Sequence, residues 1–423
     1  MKVLLINTYD SGGAAKACMR LHEGLLKQGV SSKLLILFSK NNYPTESNIA
    51  VFGKEFPYKY RKPGILEKIA IKAGKGKQTE RIRREIEDLI PMPLETFSEP
   101  YSSYDITMHP WYKETDIIHF HWVSGFLDYS FFIKNKKPVV WTLHDMNPFT
   151  GGCHYSGGCK KFTNSCDYCH YLKTTSSPTY TNKLLDYKKE NTSSIPQLKI
   201  VSPSHWLTQE SQNSSLFKQL DHFTIPNGID SGVFKPFSKA EARKILSLPL
   251  DKKILLFVAE RIENIRKGNE FISNTLEALK NNKDVVMCSV GESFSTTHYE
   301  NLIPFGKIQD ERKLAMIYSA ANVLLVPSTE DNLPNTPLES ILCGTPVIAF
   351  PIGGLPDIIT NGENGYLCDN ISSDELLNKV NLFLQKGVQH LSNEIRESGV
   401  KKYDISVSAK RYIDLYQEVL KGN

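Results

Sequence analysis

The stretch PSTEDNLPNTPLESILCGTPVIA (327–349) indicates how this chain folds. The apolar run Val323–Val326 leads into it, and Pro346–Phe350 ends it; both have the composition of buried strands. Between them, Thr336 is followed by a proline and can cap a short helix, which Gly344 can end. A strand, a helix and a second strand in this order predict a unit of a parallel α/β sheet.

The same alternation extends in both directions along the chain. Continuous apolar runs suit parallel strands that are covered on both faces, and they occur at Val3–Ile6, Lys33–Phe38, Asp116–His121, Val139–Leu143, Ile200–Ser202, Ile254–Val258 and Val285–Val290. The turn-rich segment 224–231 divides them into two series. We therefore predict two Rossmann-like, doubly wound α/β domains, at 1–225 and 230–404, with ligands bound in the cleft that they face.

Composition narrows the class of protein. The chain has 423 residues, 40% of them hydrophobic, and a formal net charge of +5, which suits a globular protein and does not call for nucleic acid. The first apolar run ends at Ile6, too early for a secretory signal, and no stretch reaches the roughly 20 apolar residues of a spanning helix. We therefore expect a cytoplasmic protein whose cysteines are reduced or bound to metal.

One segment has a strong local charge. Residues 54–84 contain eleven Lys or Arg and three Glu. Ile65, Leu66 and Ile69 share one helical face there, so the segment is a candidate for peripheral contact with an anionic membrane surface. A solvated basic loop is the alternative.

Polar residues follow predicted strands of the first series. His121 and His144 each end a strand, at the sheet edge where ligands bind in such folds. Gly13 lies in a glycine turn between the first strand and a helix, where backbone amides could face a phosphate. A turn that simply needs small residues is the alternative for Gly13.

The second series has its own candidates. Arg266 and Lys267 open a predicted helix, where the helix dipole favours an anion, so a bound phosphate would explain two cations there. A solvated basic turn is the alternative. Glu339 could accept hydrogen bonds from two vicinal hydroxyls, or it could serve as the carboxylate of a helix capping box. Asp331 precedes it by eight positions.

Taken together, these motifs resemble glycosyltransferase family 4, whose members are retaining enzymes of GT-B fold. The resemblance covers nearly the whole chain and rests on IIHFH (117–121), PS (203–204), PNGID (226–230), KG (267–268), PS (327–328) and an acid-x7-acid motif that ends in ESILCGTPVI (339–348). The stretches WTLHDMNPFTGGCHYSG (141–157) and EDNLPN (330–335) are similar to a subgroup that makes capsular polysaccharides or exopolysaccharides.

The resemblance implies an activity. The chain would transfer a sugar from a nucleotide-diphosphate sugar to a hydroxyl of a saccharide or lipid-linked saccharide, with retention of configuration. No Asp-x-Asp triplet is present, so no catalytic metal is expected. A nucleotide-sugar epimerase of GT-B fold and a non-catalytic GT-B subunit are the alternatives. A C-terminal helix at about 405–423 would pack back on the first domain.

The resemblance also implies roles for residues. His121 and Asp331 would act at the reaction centre, and Glu339 would hold the ribose. Donor binding would further involve a group of residues that comprises Gly13, His144, Arg261, Arg266, Lys267 and Ile308. Two departures from the family pattern stand out: Asp331 replaces the usual glutamate, and Ala259-Glu260-Arg261 replaces the usual Gly-Arg pair.

A cysteine cluster stands apart from these motifs. Cys153, Cys159, Cys166 and Cys169 are spaced C-x5-C-x6-C-x2-C, and the C-x2-C end is typical of a zinc knuckle. His154 and His170 are spare nitrogen ligands. We predict a structural zinc site; two disulfides or four plain thiols are the alternatives.

Overall fold

The computed structural model describes residues 1–56, 97–172, 179–192, 197–261, 264–292 and 299–422. Most of the basic segment predicted to contact membranes therefore lies outside the described residues. In the described part of the chain, no helix is both long enough and apolar enough to span a bilayer.

A seven-stranded sheet occupies the N-terminal half, in the order β3-β2-β1-β4-β5-β6-β7. Its strands are β1 Lys2–Tyr9, β2 Ser31–Phe38, β3 Ile49–Val51, β4 Ile117–Phe120, β5 Val139–Thr142, β6 Leu198–Ser202 and β7 Asp221–Thr224. The α-helices along this part of the chain are Gly13–Lys27, Phe52–Glu55, Pro110–Glu114, Phe131–Lys134, Tyr180–Thr192 and His205–Asn213. β4 pairs in parallel with both β1 and β5, so the carboxyl ends of β4 and β5 meet at one edge.

A six-stranded sheet follows, in the order β10-β9-β8-β11-β12-β13, and its neighbouring strands pair in parallel. Its strands are β8 Lys253–Arg261, β9 Val285–Glu292, β10 Leu302–Pro304, β11 Val323–Val326, β12 Val347–Ala349 and β13 Gly365–Leu367. The α-helices are Lys239–Ile245, Asn269–Ala278, Glu311–Ala320, Asn335–Leu342, Leu355–Ile358, Ser373–Lys386, Ser392–Tyr403 and Ile405–Lys421.

The second sheet is covered on both faces. Along β8, Ile254 and Leu256 belong to one hydrophobic cluster, whereas Leu255 and Phe257 belong to another. Successive side chains of a strand point to opposite faces, so the two clusters lie on opposite sides of the sheet. The expectation drawn from the continuous apolar runs is confirmed here, and it explains why these strands lack alternation.

By their internal contacts, the residues group into two compact units. The first comprises Met1–Asp10, Ser32–Ile200 and Gln209–His222, and the second comprises Ser11–Ser31, Val201–Thr208 and Phe223–Asn423. The helix Gly13–Lys27 therefore groups with the second unit. There it packs against the C-terminal helix Ile405–Lys421, close enough that a Cβ placed on Gly24 would lie 3.0 Å from the Cβ of Ala409. The domain limits at 225 and 230 stay a prediction.

Candidate functional site

A pair of histidines lies at the carboxyl ends of β4 and β5 in the first unit. Nδ1 of His121 and Nε2 of His144 share a hydrogen bond of 3.0 Å, and the two rings stack with their centroids 5.2 Å apart. Nε2 of His121 is buried and has no hydrogen-bond partner among the described residues. The structure thus brings together the two histidines that the sequence singles out, and it leaves one ring nitrogen of His121 able to bond a ligand.

Burial keeps these histidines neutral. It lowers the pKa of His121 well below its usual value and the pKa of His144 to about 4. His119, which the sequence places deeper on the same strand, bonds Thr142 Oγ1 through Nε2 at 2.8 Å, and burial lowers its pKa to about 3. A neutral imidazole has one nitrogen that donates and one that accepts, so at pH 7 His121 can do either toward a ligand.

A buried carboxylate that the sequence analysis did not single out adjoins the histidine pair. Oδ2 of Asp145 accepts a hydrogen bond from the indole of Trp122 at 2.7 Å and bonds Nδ1 of His154 at 2.6 Å. Nε2 of His154 bonds Ser98 Oγ at 2.8 Å. Burial favours the protonated form of Asp145, but His154 and the hydrogen bonds outweigh it, so the pKa of this carboxyl is lowered.

The histidine pair and Asp145 line a pocket in the first unit. Its lining includes His121, His144, Asp145, Trp122, Trp141 and Tyr129. Aromatic walls with a few polar groups are typical of small-molecule sites.

In the second unit, a cationic turn contacts the loop that follows β11. Nζ of Lys267 lies 2.5 Å from Oδ2 of Asp331, and the Arg266 guanidinium donates to the carbonyl of Glu330 at 3.2 Å. The backbone of Thr329 donates to the Arg266 carbonyl at 2.8 Å. The structure therefore brings together Lys267, Arg266 and Asp331, which lie about 64 residues apart in sequence.

Glu339 is buried in the helix Asn335–Leu342, with 2% of its surface exposed. Its Oε1 accepts from Nη2 of Arg20 at 2.9 Å, and its Oε2 accepts from the Tyr318 hydroxyl at 3.1 Å. The capping-box alternative is wrong, because the helix begins at Asn335 after Pro334 and no side chain caps it. Glu339 is instead held by tertiary contacts.

Two glycine turns contact the segment that follows β11. Gly353 has φ of +52°, and a Cβ on it would lie 1.9 Å from the carbonyl oxygen of Asp331. The amide of Gly354 donates to the Asn332 carbonyl at 2.6 Å. At the start of the helix Gly13–Lys27, the Gly13 carbonyl accepts a hydrogen bond from the side-chain amide of Asn335 at 3.1 Å.

Residues 238–402 match the family model described as glycosyl transferases group 1. This part of the chain is similar to that family. The match includes Lys267, Asp331 and Glu339 and excludes the histidine pair. It is consistent with glycosyltransferase family 4.

Curated relatives carry glycosyltransferase names. The D-inositol 3-phosphate glycosyltransferase of Acidothermus cellulolyticus is 28% identical over 39% of this chain and 41% of its own length. That of Segniliparus rotundus is 30% identical over 34% of this chain and 35% of its own length. The chain thus matches less than half the length of these relatives. The colanic acid biosynthesis glycosyl transferase WcaC of Escherichia coli K12 is 23% identical over 99% of this chain and 100% of its own length.

Solved structures share the fold over the whole chain. Sucrose-phosphate synthase from Thermosynechococcus elongatus has a TM-score of 0.66 at 19% identity, covering 100% of both chains. Anabaena Alr3699/HepE, solved with UDP and glucose, has a TM-score of 0.65 at 15% identity, covering 99% of both chains. The predicted GT-B fold, with two Rossmann-like α/β domains, is confirmed.

Two further predicted residues lie in the group 1 family segment. Ile308 is half-buried and packs against the larger hydrophobic cluster of that segment. Arg261 is the last residue of β8, and its side chain lies outside the described part of the structure. The choice between Arg261 and Arg266 as the arginine for a diphosphate stays a prediction.

The cysteine cluster lies outside the group 1 segment, in the first unit. Cys153, Cys159, Cys166 and Cys169 all line one pocket, and all four are free thiols. Within the described ranges, no three Cys, His, Asp or Glu side chains are arranged to hold one metal ion. His154, a spare ligand on sequence grounds, is engaged by Asp145 and Ser98. The arrangement shown does not fit a bound zinc ion, and the structural zinc site stays a prediction.

Proposed function

We propose that this chain is a retaining glycosyltransferase that moves a sugar from a nucleotide-diphosphate sugar to a hydroxyl acceptor in the synthesis of a cell-surface polysaccharide. The observation that carries the proposal is the contact of Lys267 with Asp331 inside a segment of the glycosyl transferases group 1 family. The full-length match to WcaC supports the polysaccharide, and the UDP bound in the HepE structure supports UDP as the first donor nucleotide to test.

The Lys267–Asp331 pair suggests how a donor would be received. In the structure the two charges neutralise each other, with 2.5 Å between Nζ of Lys267 and Oδ2 of Asp331. A diphosphate would replace the carboxylate as the partner of Lys267, and Asp331 would then be free to accept hydrogen bonds from hydroxyls of the donor sugar. Negative charge grows on the diphosphate as the sugar leaves, so a fixed cation there stabilises the transition state.

The histidine pair would serve the sugar end of the reaction. The buried Nε2 of His121 lacks a partner among the described residues, and a buried polar atom without a hydrogen bond costs free energy that a sugar hydroxyl would recover. Because burial keeps the ring neutral, His121 would contact the sugar without opposing the positive charge that develops on it. We assign the acceptor proton to the leaving oxygen of the donor in a front-face displacement.

The acceptor and the location belong to the same proposal. A saccharide on a lipid carrier would be met at the inner face of a membrane, and the eleven basic residues of 54–84 would hold a cytoplasmic enzyme there by attraction to anionic lipid.

The test compares Lys267→Ala with Lys280→Ala. Lys280 also pairs with a carboxylate in this unit, Glu277, but its side chain is 56% exposed. A charged hydrogen bond contributes about 1.5–3 kcal/mol, so Lys267→Ala should weaken UDP binding at least about tenfold, whereas Lys280→Ala should not change it. Unchanged affinity in Lys267→Ala, with the protein folded, refutes the proposal.

Labelled donors distinguish the proposed reaction from its alternatives. Transfer to an acceptor or slow hydrolysis of the donor identifies a glycosyltransferase, and an epimeric nucleotide sugar identifies an epimerase. Binding of nucleotide sugars without either product identifies a non-catalytic subunit. Asp331→Asn should bind UDP at least as tightly as the unaltered chain, because the carboxylate that competes for Lys267 is gone, and it should transfer sugar more slowly.

A further inference from the structure

A buried arginine from the helix Gly13–Lys27 reaches the carboxylate of Glu339. Arg20 has 5% of its surface exposed, and its Nη2 donates to Oε1 of Glu339 at 2.9 Å and to Oε1 of Glu311 at 2.8 Å. The guanidinium carbon lies 5.2 Å from the ring centroid of Phe234. Arg20 lies 319 positions from Glu339 in sequence and outside the segment that matches the family model.

The contacts leave Glu339 able to bind more. An ionised carboxylate offers about four lone pairs, of which Arg20 takes one on Oε1 and Tyr318 takes one on Oε2. One lone pair then remains on each oxygen, which matches two vicinal hydroxyls. Because Arg20 and Tyr318 hold different oxygens, the carboxylate cannot rotate without breaking one of these bonds.

A purely structural role would leave part of Arg20 unexplained. Its Nη1 is buried and has no hydrogen-bond partner in the described part of the chain, whereas buried polar groups are ordinarily satisfied. Arg243 is just as buried at 5%, and its guanidinium donates to four backbone carbonyls and to the Asn322 side chain. Arg243 thus has the hydrogen bonds expected of an arginine that only stabilises the fold.

We propose that Arg20 is a positioning residue for nucleotide recognition, which fixes and charge-balances the Glu339 carboxylate so that it can accept both hydroxyls of a ribose. This inference rests on the proposed function, in which Glu339 holds the ribose. The Nη2 of Arg20 has two hydrogens, so it donates one to Glu339 and the other to Glu311.

The test is UDP binding by calorimetry in a double-mutant cycle of Arg20→Gln and Glu339→Gln. Each single variant should weaken binding about tenfold, and the double variant should bind within about twofold of Glu339→Gln, because Arg20 acts through Glu339. Arg20→Lys keeps the positive charge and can still donate a hydrogen bond, so it should lose less UDP affinity than Arg20→Gln. It also serves as a second variant in case Arg20→Gln does not fold.

Two further variants separate positioning from stability. Glu311→Gln should leave UDP affinity unchanged, since Arg20 keeps its hydrogen bond to Glu339. Arg243→Gln should lower the resistance to urea and leave UDP affinity unchanged.

The possible results are distinct. If Glu339→Gln weakens binding but Arg20→Gln does not, or if the two effects multiply, the inference is overturned and the proposed function stands. Weaker binding in Glu311→Gln also overturns the inference. If Glu339→Gln itself leaves UDP affinity unchanged, the assignment of the ribose site fails, and the role of Arg20 fails with it.

Discussion

Replacing Gly353 by alanine should disrupt the loop that carries Asp331. Gly353 has φ of +52°, and a Cβ there would lie 1.9 Å from the Asp331 carbonyl oxygen and 2.7 Å from that of Asn332. A side chain at positive φ costs about 1–2 kcal/mol. The clash is with backbone, which must move, and overpacking of this kind adds about 1–3 kcal/mol. We expect Gly353→Ala to lower the free energy of unfolding by about 2–5 kcal/mol.

Gly362→Ala is the matched control. Gly362 has φ of +81°, but nothing lies within 4 Å of its added Cβ, so only the backbone cost of about 1–2 kcal/mol applies. Urea unfolding of both variants, with linear extrapolation to water, measures the difference.

The two variants should also differ in function. Movement of the Asp331 carbonyl shifts the side chain that pairs with Lys267, so Gly353→Ala should slow sugar transfer and Gly362→Ala should not. Equal destabilisation by the two substitutions, or normal transfer by Gly353→Ala, refutes the reasoning.

The remaining predictions concern pH, metal and lipid. Burial lowers the pKa of His119 to about 3 and that of His144 to about 4, so between pH 6.5 and 4 the unfolded chain binds protons that the folded chain does not. On acidification each histidine then lowers the free energy of unfolding by up to about 1.4 kcal/mol per pH unit, and neither lowers it above pH 6.5. Urea unfolding at several pH values should show this dependence, and in His144→Asn the contribution of one histidine should be missing. Protein purified without chelator should contain about one zinc per chain by elemental analysis if the four clustered cysteines hold an ion; no metal, with four thiols fewer than the reduced total, indicates disulfides. Vesicles of anionic lipid should sediment the protein at low salt and release it at high salt; equal sedimentation with neutral vesicles, or none with either, contradicts a role for 54–84.

The sequence predicted the strands that are buried along their whole length. β4, β5, β11 and β12 are four or three residues long, and every residue in them is buried. The strands that it did not predict, β3, β7, β10 and β13, are equally short but include residues that are only partly buried or exposed. Three or four residues without a continuous apolar run carry no period from which a strand can be inferred.

The candidate site was predictable where sheet topology alone decides it. His121 and His144 follow adjacent parallel strands, so their proximity follows from the strand order. The partner of Asp145 was not predictable, because His154 lies nine positions later and contacts it after an irregular loop. The partner of Glu339 was even harder to predict, because Arg20 is on a helix near the start of the chain and nothing in its local sequence marks it.

The groups that the sequence selected share one property that only the structure reveals. Each already has a partner: Lys267 has Asp331, Glu339 has Arg20 and Tyr318, and His121 has His144. A diphosphate that binds Lys267 would replace Asp331 as its hydrogen-bond partner, so the net gain is smaller than the contact itself. At His121 and Glu339, the existing partners leave Nε2 and two lone pairs unused, so a ligand there would add hydrogen bonds. Because Lys267 and Glu339 are each paired with a group of opposite charge, the fold does not bear the cost of isolated ions.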